Sequence, residues 1–340
     1  MGGQILSRLG PDPRVVLIRL RSLGDTVLAT PAFALLRRAV PDARIHVAME
    51  DRFAGLLDRH PDLDSVLRIR RRSGLAGKAR LLRAIRAKRP SLCIDMHGGS
   101  TAAWLTALSG ARWRAGFAHF RQSWAYNVRI PRAQQVLGRE PDAKVHTAEH
   151  HAATVVHLGA GQCEIPRARL AAGRAGEPDP YAVIHAGAAY ATKTWAAGSF
   201  RAVARDLRER HRLAPVLVAG PDEKALALRF ADFDVRLGLP LPALVSLIAG
   251  AQVFVGNDSG PAHVAAAFGV PSVVIFGSSD SSVWHPWRTA HRVVETDWDC
   301  KPCPGDRCYA FDVPRCILSV EASAVRAAVS ELLAESEAAS

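Results

Sequence analysis

The chain has 340 residues, 49% of them hydrophobic and 22% charged, the composition of a soluble globular protein long enough for two domains. No apolar run approaches the ~18 residues of a membrane span. The N-terminal MGGQILSRLGPDPR lacks the apolar core of a signal peptide, so a cytoplasmic protein is expected.

In chain order, strands are predicted over 14–20, 44–49, 65–69, 91–95 and 112–116, with helices over 26–39, 51–58, 76–88 and 100–108. Runs such as VVLIRL and LCID are short and continuously apolar, as strands of a buried parallel sheet should be. The pattern weakens over 118–145, and HTAEHHAATVVHLGA then predicts a helix over 146–158. The stretch 161–180 is rich in Gly, Pro and Ala and reads as a linker. The alternation restarts with strand 181–185, helix 197–210, strand 214–219, helices 222–230 and 241–249, strand 251–255, helix 261–268 and strand 271–276. The fold class is therefore α/β, with doubly wound domains over 1–160 and 181–340. Ligands of such sheets bind at the carboxyl ends of the strands, here most simply in a cleft between domains.

Net charge is +12 and unevenly spread: residues 1–160 hold 26 Lys and Arg against 12 Asp and Glu, and residues 161–340 hold 18 against 20. A basic half suits an anionic partner such as nucleic acid, a phosphorylated lipid surface or an anionic glycan; otherwise it is a solvated arginine face. The run RIRRRSGLAGKARLLRAIRAKR, residues 68–89, has no aromatic residue for base stacking. Gly2 suggests myristoylation, but Leu6 stands where that motif wants Ser or Thr.

The first strand runs into Arg19, Arg21, Ser22, Gly24 and Asp25. The turn resembles a phosphate loop except that a carboxylate stands where an amide or lysine belongs. Two later segments carry the phosphate signals. In VIHAGAAYATKTWAAGSF a strand ends in a small-residue loop at Gly187, followed by Lys193, a compact charge for a phosphate oxygen. In VFVGNDSGPAHVAAAFGVPSVVIFG a strand meets Asp258, Ser259, Gly260 and Pro261 before a helix with His263 in its first turn. The free amides of that helix start can hold a diphosphate. His97 follows the fourth strand, where it either contacts a substrate or caps a turn. Trp284, His285, Pro286 and Trp287 border a ligand or pack their own loop. His146, His150 and His151 read as a surface face.

Four cysteines, Cys300, Cys303, Cys308 and Cys316, are spaced C-x2-C-x4-C-x7-C. They suit a structural Zn or Fe site, with free thiols or disulfides as the alternatives. Cys93 and Cys163 are isolated thiols.

Taken together, VVLIRLRSLGDTVLATPAFALLRRAVPDARIHV, SLCIDMHGGSTAAWLTALSGARWRAGF, HTAEHH and the two phosphate segments resemble the ADP-heptose–lipopolysaccharide heptosyltransferases, glycosyltransferase family nine. The resemblance implies a GT-B fold of two facing Rossmann-like domains, acceptor in the first and nucleotide sugar in the second. It implies Asp25 as general base, beside which Arg19 and Arg21 would contact an anionic acceptor or the leaving group, Arg19 being otherwise a structural residue of the strand end. It further implies that Lys193, Asp258, Gly187 and the Ser259–Gly260–His263 turn hold the donor. The implied reaction is inverting, with ADP-heptose as donor, no cofactor required, and a glycolipid acceptor at the inner membrane face. Another nucleotide sugar, or a basic zinc-knuckle protein binding nucleic acid, are the alternative readings; the joint presence of Asp25, Lys193 and Asp258 argues against the second, and no nucleic-acid partner is expected.

Overall fold

The computed structural model describes residues 4–173, 177 and 179–338. Gly2 and the linker residues 174–176 and 178 lie outside the described residues. The chain divides into two compact units, Met1–Ala171 and Ala172–Ser340.

The first unit is built on a parallel sheet of six strands. These are β1 (Arg14–Ile18), β2 (Arg44–Glu50), β3 (Ser65–Ile69), β4 (Leu92–Asp95), β5 (Trp113–Phe117) and β6 (Val128–Ile130), in the order β3-β2-β1-β4-β5-β6. The strand order reverses between β1 and β4, whose registers pair Ile18 with Asp95, so the residues that follow both strands meet at the sheet's switch point. The helices of eight residues or more are α1 (Leu23–Ala39), α2 (Gly74–Ala87), α3 (Ser100–Ala107) and α4 (Thr147–Val155). Leu81 and Ile85 of α2 and Leu105 of α3 join Val16, Ile18, Leu67 and Cys93 in one apolar cluster. Helix α1 packs against α4.

The second unit repeats the plan with β7 (Tyr181–His185), β8 (Ala214–Ala219), β9 (Asp234–Leu237), β10 (Val253–Asn257), β11 (Ser272–Ile275) and β12 (His291–Val294), ordered β12-β11-β10-β7-β8-β9. Its longer helices are α5 (Ala197–Arg210), α6 (Leu241–Ala249), α7 (Gly260–Phe268) and α8 (Ala322–Ala338). Its switch point lies between β7 and β10, where Gly256 pairs with His185. The core gathers Phe200, Leu207, Val255, Ile275, Val325 and Leu332 around Trp195.

Several elements depart from the sequence reading. Strands β6, β9 and β12 are edge strands of three or four residues, too short for a clear pattern in the sequence, and β9 and β12 are also too exposed to alternate. Helix α8 was also not expected. The helices expected over 51–58 and 222–230 shrink to Asp51–Ala54 and Lys224–Leu228. Among the described residues no helix is long and apolar enough to cross a membrane.

Trp195 ties loop and core together. It is 2% exposed, donates its indole N–H to Val320 O at 2.9 Å and meets Phe200 edge to face with centroids 4.9 Å apart. Trp195→Ala should lower stability by about 3–5 kcal/mol, and Trp195→Phe by clearly less. Denaturant unfolding checks this; a loss under ~1 kcal/mol for the alanine variant would contradict the packing account.

Candidate active site

In the first unit the site begins at the carboxyl end of β1. Arg19 N–H donates to Ala48 O at 3.0 Å, extending the pairing with β2. The Arg19 side chain is buried; its Nη1 donates to Met96 O at 2.8 Å and its Nη2 pairs with Asp25 Oδ1. Ser22 Oγ donates to Asp25 Oδ2 at 2.8 Å. Helix α1 opens at Leu23, earlier than the expected start at 26, so Asp25 belongs to the helix and not to the turn before it. A carboxylate in a first turn faces free amides and the positive end of the helix dipole. Burial disfavours the charge on Arg19, and Asp25 and Asp95 answer it.

Asp95, at the end of β4, was missed in the sequence. It is fully buried and accepts the N–H groups of His97 at 2.8 Å and Gly98 at 2.9 Å, and the Tyr126 hydroxyl at 2.7 Å. Burial raises its pKa above the ordinary carboxylate value, against these hydrogen bonds and Arg19. Gly98 has φ +78°, and a Cβ there would strike the Phe120 ring, so the turn that presents His97 needs glycine. His97 lies beside Arg19 and Arg21, and burial followed by those charges pushes its pKa down to about 4. Arg21 is exposed and forms no ion pair with Asp25, so of the three expected acceptor residues only Arg19 touches the carboxylate.

The surface reading of the histidines on α4 is overturned. His146 is the buried N-cap of α4; its Nδ1 accepts from Ala148 N at 3.1 Å, and Glu149 closes a capping box while pairing with Arg139. His150 stacks on Phe117 at 4.2 Å, and burial followed by His119 and Arg19 pushes its pKa down to about 4. His151 is buried with Nε2 at 3.9 Å from Asp25 Oδ1 and neither ring nitrogen hydrogen-bonded. Burial, then Arg19, holds it well below the usual histidine value, so it flanks Asp25 as a neutral ring. The packing of α4 on α1 creates this arrangement, and no local spacing announces it.

In the second unit Lys193 Nζ pairs with Asp258 Oδ2 at 2.8 Å, and Ser279 Oγ donates to the same oxygen at 2.5 Å. Ser259 Oγ hydrogen-bonds His185 Nδ1 at 3.1 Å. Gly260 opens α7, and His263 is buried in its first turn. Buried Asn257 accepts Trp195 N–H at 3.1 Å and donates to Ala186 O at 2.9 Å, locking the loop after β7 to the loop after β10. A Cβ on Gly187 would collide with the Glu223 carboxylate, which also accepts Gly220 N–H at 2.7 Å. Glu223, Asn257 and Ser279 were not singled out in the sequence; Asn257 alone had a signal, its place inside GNDSGPAH. His285 stacks on His291 with centroids 5.0 Å apart and Trp287 is buried, so the Trp284–Trp287 loop packs onto β12.

Cys300, Cys303, Cys308 and Cys316 line one cavity of about 400 Å³ with Thr192 and Ser278. Among the described residues, however, no three His, Cys, Asp or Glu side chains gather as ligands of one ion, so the expected tetrahedral set does not form. The segment has a visible structural part. Cys303 N–H donates to Ser278 O at 3.0 Å, Ser278 N–H donates to Thr192 O at 3.2 Å, and Thr192 Oγ1 donates to Gly305 O. It thus clamps the turn that carries Lys193. Cys93 is a core thiol whose burial raises its pKa to about 12, and Cys163 is exposed.

The model of glycosyltransferase family 9 (heptosyltransferase) matches residues 78–311. The lipopolysaccharide heptosyltransferase 3 of Escherichia coli is 28% identical over 298 residues, covering 79% of this chain and 84% of that protein. Among solved structures, the family 9 glycosyltransferase of Veillonella parvula superposes with a TM-score of 0.82 at 21% identity, over 98% of this chain and all of that one. The E. coli heptosyltransferase WaaC with ADP gives 0.74 at 21% identity, over 94% and 99%. At these identities the structural likeness establishes the GT-B fold.

Buried neutral histidines make stability depend on pH. Burial pushes His46, His97 and His150 down to about 4, below the ~6.5 of an unfolded histidine. The unfolded chain binds protons first, so this stability is present above about pH 6.5 and is lost as pH falls toward 4. Thermal unfolding should show its midpoint falling over that window, with a shallower fall in His46→Asn. Identical slopes for variant and wild type would contradict the account.

Proposed function

The chain belongs to glycosyltransferase family 9, the heptosyltransferases, and from that premise we propose that it moves a heptose from ADP-heptose to an anionic hydroxyl acceptor of the lipopolysaccharide core, inverting the anomeric centre. The observation that carries the reading is Asp25, held in a first helical turn by Arg19 and Ser22. Each carboxylate oxygen keeps a lone pair beyond those contacts, so the group can accept a proton without losing its place.

The acceptor hydroxyl attacks the anomeric carbon and its proton passes to Asp25. The bond from that carbon to the diphosphate breaks, and its electron pair leaves with ADP. Negative charge grows on the diphosphate, where Lys193 and the free amides at Gly260 of α7 would stabilise it. Lys193 is already paired with Asp258, so a bound diphosphate would share the ammonium and turn Asp258 toward the sugar hydroxyls. Ser259 and His263 line the same helix start, and Gly187 lies in the loop after β7, its missing side chain making way for Glu223. Arg19, His97 and the exposed Arg21 supply a cationic and polar approach for the acceptor. The relative whose name specifies lipopolysaccharide and the solved relative bound to ADP support the choice of acceptor and donor.

Asp25→Asn, which keeps an oxygen for the buried Arg19, and Asp25→Ala should each lower kcat by about 10²–10⁴-fold, and Asp25→Ala should also lower the thermal midpoint because it leaves that guanidinium short of a partner. Turnover close to wild type in both variants, measured with ADP-heptose and a core acceptor, would sink the base assignment. A panel of other nucleotide sugars in the same assay tests the donor.

A further inference from the structure

We propose that the groove between α2 and α3, with the cations around it, docks this protein on an anionic phospholipid bilayer. Between Ser65 and Arg139 the chain holds sixteen Arg and Lys and one acidic residue, Asp95, which is fully buried. The whole solvent-facing charge of that stretch is therefore positive. Helix α2 buries only Leu81 and Ile85, leaving Lys78, Arg80 and Arg83 exposed. No carboxylate among the described residues pairs with those three.

Beside them lies a groove of about 600 Å³ whose walls include Leu75, Ala79, Leu82, Trp104, Leu105 and Leu108. Leu75 is 84% exposed and Trp104 56%, and Trp104 meets Trp124, 52% exposed, edge to face with centroids 4.8 Å apart. Two neighbouring exposed tryptophans and an exposed leucine form an apolar patch that water does not favour. Tryptophan and leucine flanked by arginine and lysine match the headgroup layer, where rings and aliphatic stems enter the acyl boundary and the cations meet phosphate. A second copy of this chain would set cation against cation. A nucleic acid would satisfy the charge and leave Leu75 and the groove uncovered. The inference goes beyond the transfer reaction and rests on neither the donor nor the acceptor assigned above.

The test is co-sedimentation of the full chain with phosphatidylcholine vesicles, with and without phosphatidylglycerol. Binding should be at least about tenfold tighter on the anionic vesicles and weaken with salt. Tryptophan emission should shift to the blue on binding, and Trp104→Ser with Trp124→Ser should abolish the shift. Charge reversal at Lys78, Arg80 and Arg83 to Glu should cost about tenfold or more in vesicle affinity. Circular dichroism and thermal midpoints at wild-type values show that the variants fold. Equal binding to neutral vesicles, absence of binding, or unchanged binding by both folded variants would overturn the proposal. Tighter binding of an oligonucleotide than of anionic vesicles in the same salt would also overturn it, giving the surface to nucleic acid.

Discussion

A buried guanidinium has to be answered by oxygen atoms close at hand, and Arg19 meets that demand with Met96 O and Asp25. The first unit's site is organised by this requirement. Arg19 leaves β1 at the switch point, Met96 follows the partner strand β4, and Asp25 lies in the first turn of the helix after β1. One side chain thus fixes the two strand ends and the helix start relative to one another. Its positive charge, with burial, also keeps His97 and His151 neutral, so Asp25 stands beside rings that hold no charge. A carboxylate placed by an ion pair, a serine hydroxyl and a helix dipole is oriented before any substrate arrives, and the proposed base role draws its rate advantage from that placement.

In the proposed reaction the second unit has a different problem, the accommodation of negative charge. Its loops are joined by buried polar contacts: Asn257 bridges the turns after β7 and β10, and Trp195 anchors the first of them in the core. The cysteine segment adds a further clamp through Ser278 and Thr192. These contacts keep Lys193 and Asp258 within 2.8 Å of each other. The segment therefore has a mechanical part in holding the loop, whatever its thiols bind.

The α/β class and most strand positions were legible because they rest on local signals, apolar runs bounded by turns, and a glycine turn and a proline-marked helix start likewise marked Asp25, Lys193 and Asp258 as candidates. The short edge strands β9 and β12 left no clear alternation, since they bury too little to constrain their composition, and β6, although it alternates Val128 in, Arg129 out and Ile130 in, is only three residues long. Asp95 was illegible for another reason. One buried aspartate at a strand end looks like any other until Tyr126, thirty-one positions away, is seen to donate to it. His151 likewise gains its meaning only through the packing of α4 on α1, and a lone histidine on a helix reads equally well as surface. The cysteine spacing was a local signal that pointed to ligands, whereas the folded segment lines a cavity without gathering a metal set. Local chemistry announces itself in sequence; positions made by tertiary packing do not.

The central claim is a single displacement with Asp25 accepting the proton, and stereochemistry tests it most directly. One displacement inverts the anomeric centre, whereas a route through an enzyme-bound sugar inverts twice and retains it. The measurement is the NMR assignment of the new glycosidic linkage, formed by the wild-type enzyme from ADP-heptose of defined anomeric configuration. The account predicts a linkage of opposite configuration to the donor. A product that keeps the donor's configuration would contradict it.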